Sequence, residues 1–212
     1  GASRGIGKFL FDKYLAQGEE VLGTYNTTQP SENESRYFKV DVTSNTSIKA
    51  FIDKNSHKLK EITLYNCAGT NYNAFAHKAD LVEWIKVINV NLIGTFSFIN
   101  SVLPFMREQS FGRIINFSSV VAQKGIPGTS AYSASKSALW GMAKSIASEN
   151  ATKGITINNL NLGYFDIGMI SDVPENYQEI ILQQIPTKKF GNPEEIFNAC
   201  QFLRKNSYIN GT

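Results

Sequence analysis

Short runs rich in β-branched and aromatic residues alternate along this chain with longer stretches of helical periodicity, and no other feature restricts its fold as strongly. The runs are Glu20–Tyr25, Phe38–Val42, Ile62–Tyr65, Arg113–Phe117 and Gly154–Asn159. Between them, apolar spacing predicts helices over Lys8–Gln17, Ser47–Asn55, Leu81–Arg107, Ser130–Asn150 and Pro193–Arg204. Two strands joined by a helix pair in parallel, because a parallel pair needs a long crossover. The alternation therefore predicts an α/β fold, a doubly wound parallel sheet flanked by helices on both faces. The 212 residues suit one such domain, 1–212. Only Thr27–Ser35 is irregular: it is polar and holds Pro30, so that crossover is expected to lack a proper helix.

Gly1, Gly5 and Gly7 form a G-x-x-x-G-x-G loop ahead of the first predicted helix. Glycine permits a tight turn and a close backbone approach, and the helix start offers free N–H groups and a positive dipole end to an anion. A doubly wound sheet carries such a loop directly after its first strand. That strand is absent here, and the chain stops at "YINGT", where an αβ unit would next supply one. The expectation is a fragment of a longer protein whose sheet lacks its first and last strands, with an empty central slot. After the next strand, Tyr25 and Asn26 stand where an acidic residue would accept from the ribose hydroxyls of NAD. Without a carboxylate to repel a 2′-phosphate, and with Arg4 able to pair with one, the loop favours NADP(H).

The bulk composition narrows the function. A net charge of +3 without any long basic tract argues against a nucleic-acid partner. No uninterrupted apolar run reaches the ~18 residues of a membrane span. Cys67 and Cys200 form no CxxC and read as free thiols of a reducing, cytoplasmic setting. His57 and His77 lie in polar stretches without partners at metal-ligand spacing, so no metal site is expected.

Tyr132 and Lys136 are four apart on a predicted helix, hence on one face. Ser119 follows the predicted strand "GRIINF", at the sheet edge where open α/β folds bind ligands. An ammonium near a phenol favours tyrosinate, so Lys136 is expected to lower the Tyr132 pKa toward working pH. Ser119 would orient the substrate oxygen. Hydride transfer to a carbonyl needs these parts and no metal.

Together these motifs resemble the short-chain dehydrogenase/reductase family, whose domain is Rossmann-type. The resemblance runs through the glycine loop, "DV" at Asp41 and Val42, "NCAG" at Asn66–Gly69, "VNL" around Asn91, Ser119, Tyr132 and Lys136. It implies a catalytic tetrad of Asn91, Ser119, Tyr132 and Lys136, with Asn91 holding a water that links Lys136 to solvent. Tyr132 would be the acid/base, and Ser119 and Tyr132 would hold the substrate. For the cofactor it implies Gly1, Ser3, Arg4, Gly5, Ile6 and Gly7, then Asn26, Asp41, Val42, Asn66, Ala68 and Gly69, and finally Tyr132, Lys136 and Phe165.

Within the family the tail "IPTKKFGNPEEIFNACQFL" is most similar to bacterial 3-oxoacyl-[acyl-carrier-protein] reductases. That implies an acyl carrier protein as partner, docked at Lys153, and a homodimer or homotetramer built on the two long helices. Ser110 departs from a second docking position that is usually basic, Leu162-Gly163 replaces Pro-Gly, Ile167 replaces a threonine, and Cys67 replaces a second asparagine. Asp166–Ile185, with Met169, Ile170, Val173, Tyr177, Ile180 and Ile181, is expected to form an apolar lid. The leading reading is an NADPH-dependent ketoreductase. One alternative is a dehydrogenase or epimerising reductase of sugar-type or secondary-metabolite substrates. Another is a nucleotide-binding regulatory protein without catalysis.

Overall fold

A computed structural model describes residues 1–212. The crossing elements, in chain order, are α1 (Gly5–Ala16), β1 (Gly23–Tyr25), β2 (Tyr37–Lys39), α2 (Asn45–Asn55), β3 (Thr63–Asn66) and α3 (Leu81–Ile88). There follow α4 (Gly94–Gln109), β4 (Gly112–Ser119), α5 (Val121–Lys124), α6 (Ser130–Asn150), β5 (Ile155–Leu162), α7 (Glu175–Gln184) and α8 (Pro193–Lys205). Every strand pairing is parallel, as the alternation predicts: β1 with β2, and β3 with β4 with β5. The Thr27–Ser35 crossover indeed lacks an α-helix and holds only a short 3₁₀ turn at Glu34–Arg36.

Side-chain alternation along β4 splits the core into two layers. Ile114 faces one way, into a cluster with Ile48, Ile99, Val102, Met106 and Ile157, covered by α2, α4 and α6. Ile115 and Phe117 face the other way, onto Leu10 and Tyr14 of α1 and Ile196 and Leu203 of α8. The strand is buried on both sides, its polar Arg113, Asn116 and Ser118 included.

The five strands form two separate parallel ladders. β1 and β3 share no hydrogen bonds, and between them lies a cavity of about 640 Å³ lined by Leu10, Phe11, Leu22, Thr24, Leu64 and Tyr65 among others. β1 spans only Gly23–Tyr25, shorter than the predicted Glu20–Tyr25, because only its β2 side is paired. At the other edge the final residues already run beside β5: Gly211 N–H donates to Ile157 O (2.9 Å) and Asn159 N–H to Thr212 O (2.9 Å).

The predicted helix Leu81–Arg107 is observed as α3 and α4 joined by one π turn at Asn89–Ile93. The joined helix, Leu81–Gln109, is long and apolar enough to cross a membrane by length and composition, with a mean hydropathy of 1.4 in its most apolar window. That corrects the sequence expectation, which counted only uninterrupted runs. Its Phe98, Ile99, Val102 and Met106 are buried in the sheet-covering layer, the placement of a core helix in an α/β domain. The π turn lets Gly94 sit against Val42, where a Cβ would come within 2.8 Å of the valine Cγ2.

Candidate active site

All the candidate residues gather at the C-terminal ends of the strands. Gly1–Gly7 lead into α1, Asn26 follows β1, and Asp41 and Val42 follow β2. Asn66 ends β3 and is followed by Ala68 and Gly69. Ser119 ends β4, Tyr132 and Lys136 sit in the first and second turns of α6, and Phe165 follows β5.

The glycine loop is packed too tightly for side chains. A Cβ on Gly7 would lie 1.9 Å from Gly1 O, and one on Gly1 2.3 Å from Ala68 N, so the loop rests on the backbone after β3. Gly5 has φ +54°, and its Cβ would meet Gly168 at the start of the 166–185 segment, 3.1 Å away. α1 begins at Arg4 with no side-chain cap and no acidic residue in its first turn, whereas α2, α3 and α8 are capped by Ser44, Asp80 and Asn192. Free N–H groups, a bare backbone and no carboxylate fit a pyrophosphate. Arg4 makes no ion pair. Asp41 is fixed by its own turn, its Oδ1 accepting from Thr43 N–H (2.9 Å) and Thr43 Oγ1 (2.7 Å). The side chain of Phe165 covers Gly191 and packs with the α1/α8 layer, leaving its backbone to border the site.

Tyr132 faces Ser119 across the sheet edge, near enough for the serine to lower its pKa, while Ser119 Oγ accepts from Val121 N–H (3.2 Å). Lys136 is 6% exposed, and its Nζ donates to Phe117 O (2.7 Å), two residues before Ser119, while lying 5.7 Å from the centre of the Tyr132 ring. Burial pulls its ammonium down from 10.5 to about 8, partly opposed by Cys67. The expected acidification of Tyr132 does not occur in this arrangement. Burial raises the phenol above 10, Ser119 lowers it, and Tyr164 raises it. Desolvation outweighs an ammonium that is itself turned to a backbone carbonyl, so the phenol is protonated at neutral pH and able to donate a proton. Cys67, which stands in place of the second asparagine, is likewise pushed up by burial to about 11 and is no thiolate.

Asn91 lies in the π turn and is fully buried. Its Oδ1 accepts from Thr70 N–H (2.8 Å), and its Nδ2 donates to Thr70 O (2.9 Å) and to Ser135 Oγ (3.0 Å). Ser135 Oγ in turn donates to Tyr132 O (2.8 Å). The side chain thus clamps the loop after β3 to the Tyr132 turn of α6. Sequence reasoning missed Ser135, Thr70, Ser118, Trp140 and Tyr164. Their partners are distant in sequence, and a buried serine carries no local signal of what it holds.

The predicted docking position Lys153 and its neutral companion Ser110 lie just before β5 and β4, at the opposite sheet edge from Ser119. The length of β4, 8 residues at ~3.3 Å each, separates them from the site by about 25 Å. Arg107 is engaged, its Nη1 donating to Asn150 Oδ1 (2.7 Å). Along the 166–185 segment Met169, Tyr177 and Ile180 are exposed and Ile170 is buried. His57 and His77 are exposed, and no cluster of metal-ligating side chains occurs.

Comparison with known proteins gives consistent relatives. A sequence profile described as short chain dehydrogenase matches residues 1–178. An acetoacetyl-CoA reductase of Shinella zoogloeoides is 38% identical over 211 residues, covering 96% of this chain and 88% of that one. A 3-oxoacyl-[acyl-carrier-protein] reductase of Thermotoga maritima is 35% identical over 224 residues, covering 100% of this chain and 91% of that one. A nodulation protein G of Azospirillum brasilense is 37% identical over 175 residues, covering 81% and 71%.

Proposed function

The chain belongs to the short-chain dehydrogenase/reductase family, and from that membership we propose that it reduces a 3-oxoacyl thioester to the 3-hydroxyacyl thioester with NADPH. It is an oxidoreductase served by a nicotinamide cofactor. The observation that carries the finer reading is Ser119 facing Tyr132 with Lys136 one turn along. It stands at the same sheet edge as the uncapped glycine loop.

The residues divide the work. Residues Gly1–Gly7 and the start of α1 hold the pyrophosphate, Asp41 and Val42 the adenine, and Ala68 and Gly69 the sugar. When bound, the cofactor supplies a hydride for the carbonyl carbon and, once oxidised, a positive charge. Ser119 Oγ and Tyr132 Oη both donate to the carbonyl oxygen, and the Tyr132 proton passes to it as the alkoxide forms. Lys136 stabilises the resulting tyrosinate, whose pKa falls as the cationic ring adds to the ammonium. Asn91 keeps α6 and the loop after β3 in register for this transfer. The lid over 166–185 excludes water once substrate enters.

NADPH is proposed over NADH because no acid follows β1 up to Thr28 and Arg4 stands unpaired in the loop. Residues 1–212 then act as one cofactor-binding domain. Two relatives are named for thioester-linked ketones, which supports an acyl thioester substrate here. A carrier protein bound at Lys153 would lie far from this chain's own Ser119, so carrier docking there serves another protomer. Exposed Leu81, Val82 and Ile85 of α3 with Ile93 and Phe96 offer the apolar face on which such a homo-oligomer would pack. The free thiols support a reducing compartment. NADPH oxidation with acetoacetyl-CoA, the matching carrier-protein thioester, sugar-derived ketones and small aliphatic ketones tests the reading. Turnover of the thioesters is expected; turnover confined to other ketones contradicts it.

A further inference from the structure

Three consecutive residues at the end of β4 handle the catalytic turn of α6. Ser119 meets Tyr132, and Phe117 O receives the Lys136 ammonium. The residue between them, Ser118, faces the opposite side of the strand from Phe117 and is 3% exposed. Its Oγ donates to Lys136 O (3.0 Å) and accepts from Trp140 Nε1–H (2.9 Å). Lys136 O belongs to the regular i→i+4 ladder of a 21-residue helix. The serine bond is a second one to the same carbonyl, and it comes from the strand rather than the helix. Trp140 lies one turn beyond Lys136 on the same face. Its indole can donate but not accept, which leaves the serine proton directed at Lys136 O. Lys136 is therefore tied to β4 at both ends, by its carbonyl to Ser118 and by its ammonium to Phe117.

We propose that Ser118 and Trp140 form a positioning unit that holds Lys136 against β4 and so sets where its ammonium meets the cofactor ribose and the Tyr132 phenol. The proposal rests on the reductase reading for its kinetic consequence, while its binding consequence needs no turnover. If Ser118 and Trp140 merely satisfied one another in the core, losing them would lower stability and leave kinetics alone. If they place Lys136, a displacement of a fraction of an ångström is felt in the transfer step. Because they act as one unit, removing either should cost as much as removing both.

The test compares Trp140→Phe, Ser118→Ala and the double variant with the wild type. Ser118→Ala deletes only the hydroxyl, and Trp140→Phe keeps an aromatic ring while losing the N–H and part of the indole, so the two variants break the unit by different routes. NADPH affinity is measured by calorimetry, and kcat and KM with acetoacetyl-CoA by NADPH oxidation. We expect each single variant to lose roughly tenfold in kcat and a few-fold in NADPH affinity, with the ketone KM within about twofold and the double variant no worse than either. Unchanged kcat and NADPH affinity in Trp140→Phe, or losses that multiply in the double variant, overturn the proposal. A wild type that binds NADPH but turns over no thioester instead sinks the substrate reading, and the affinity cycle still decides the positioning unit.

Discussion

Lys136 carries opposite demands within one side chain. It is buried beside β4, yet the proposed mechanism needs it charged. Burial draws its ammonium down from 10.5 to about 8, so it is charged at neutral pH by a narrow margin. The stability consequence has a definite sign. The unfolded lysine titrates near its ordinary value, so between about pH 8 and 10.5 the unfolded chain binds more protons than the folded one. This residue therefore makes stability rise with pH across that window. Tyr14 and Tyr37, raised by burial to about 12, act in the reverse sense above their ordinary pKa. Lys136→Met removes only the lysine contribution. The urea midpoint of wild type minus that of the variant should increase from pH 8 to about pH 10. A flat difference would show that the lysine is not desolvated as the structure has it.

At the scale of elements, most of the architecture was legible because apolar periodicity and buried strands leave strong local signals. The five strands and five of the helices fall where spacing places them, with ends shifted by a few residues. The glycine loop, Tyr132 and Lys136 were legible for a similar reason, since both motifs lie within one turn of chain. Three things were not. The π turn at Asn89–Ile93 has no periodicity of its own and shows only as a one-residue slip in a long helix. The clamp of Asn91 on Thr70 and Ser135 joins residues 21 and 44 apart. The direction of the Tyr132 shift depended on how deeply the phenol is buried and where the Lys136 ammonium points, and sequence gives neither. α6 also offers an element-scale check. Gly141 lies on its exposed side with nothing within 4 Å of a built Cβ. Gly141→Ala should stabilise the protein by about 0.5–1 kcal/mol, read from chemical denaturation, since alanine restricts the unfolded chain and clashes with nothing. A loss of stability would mean that the helix face is not open as described.

The whole molecule is two parallel ladders held apart at their centre. What joins them is the pair of helical layers, α1 with α8 on one face and α2, α4 and α6 on the other. Thr63 Oγ1 on β3 is the buried side-chain polar atom left without a partner. Thr63→Val keeps the shape and removes the unsatisfied hydroxyl. It should raise stability by roughly 1 kcal/mol, seen as a higher urea midpoint at unchanged slope. Destabilisation would indicate that the hydroxyl is hydrogen-bonded in solution. The same division explains why the chemistry sits where it does. The glycine loop lies by β1 in one ladder and the Ser119 end of β4 lies in the other, so the proposed cofactor would bridge both. The most direct test of that arrangement is NADPH oxidation with acetoacetyl-CoA by wild type and Tyr132→Phe, with NADPH affinity measured in parallel. We predict that the variant binds NADPH as the wild type does and loses at least about a hundredfold in kcat, the scale of a lost general acid. A variant that binds normally and turns over near the wild-type rate would contradict the account.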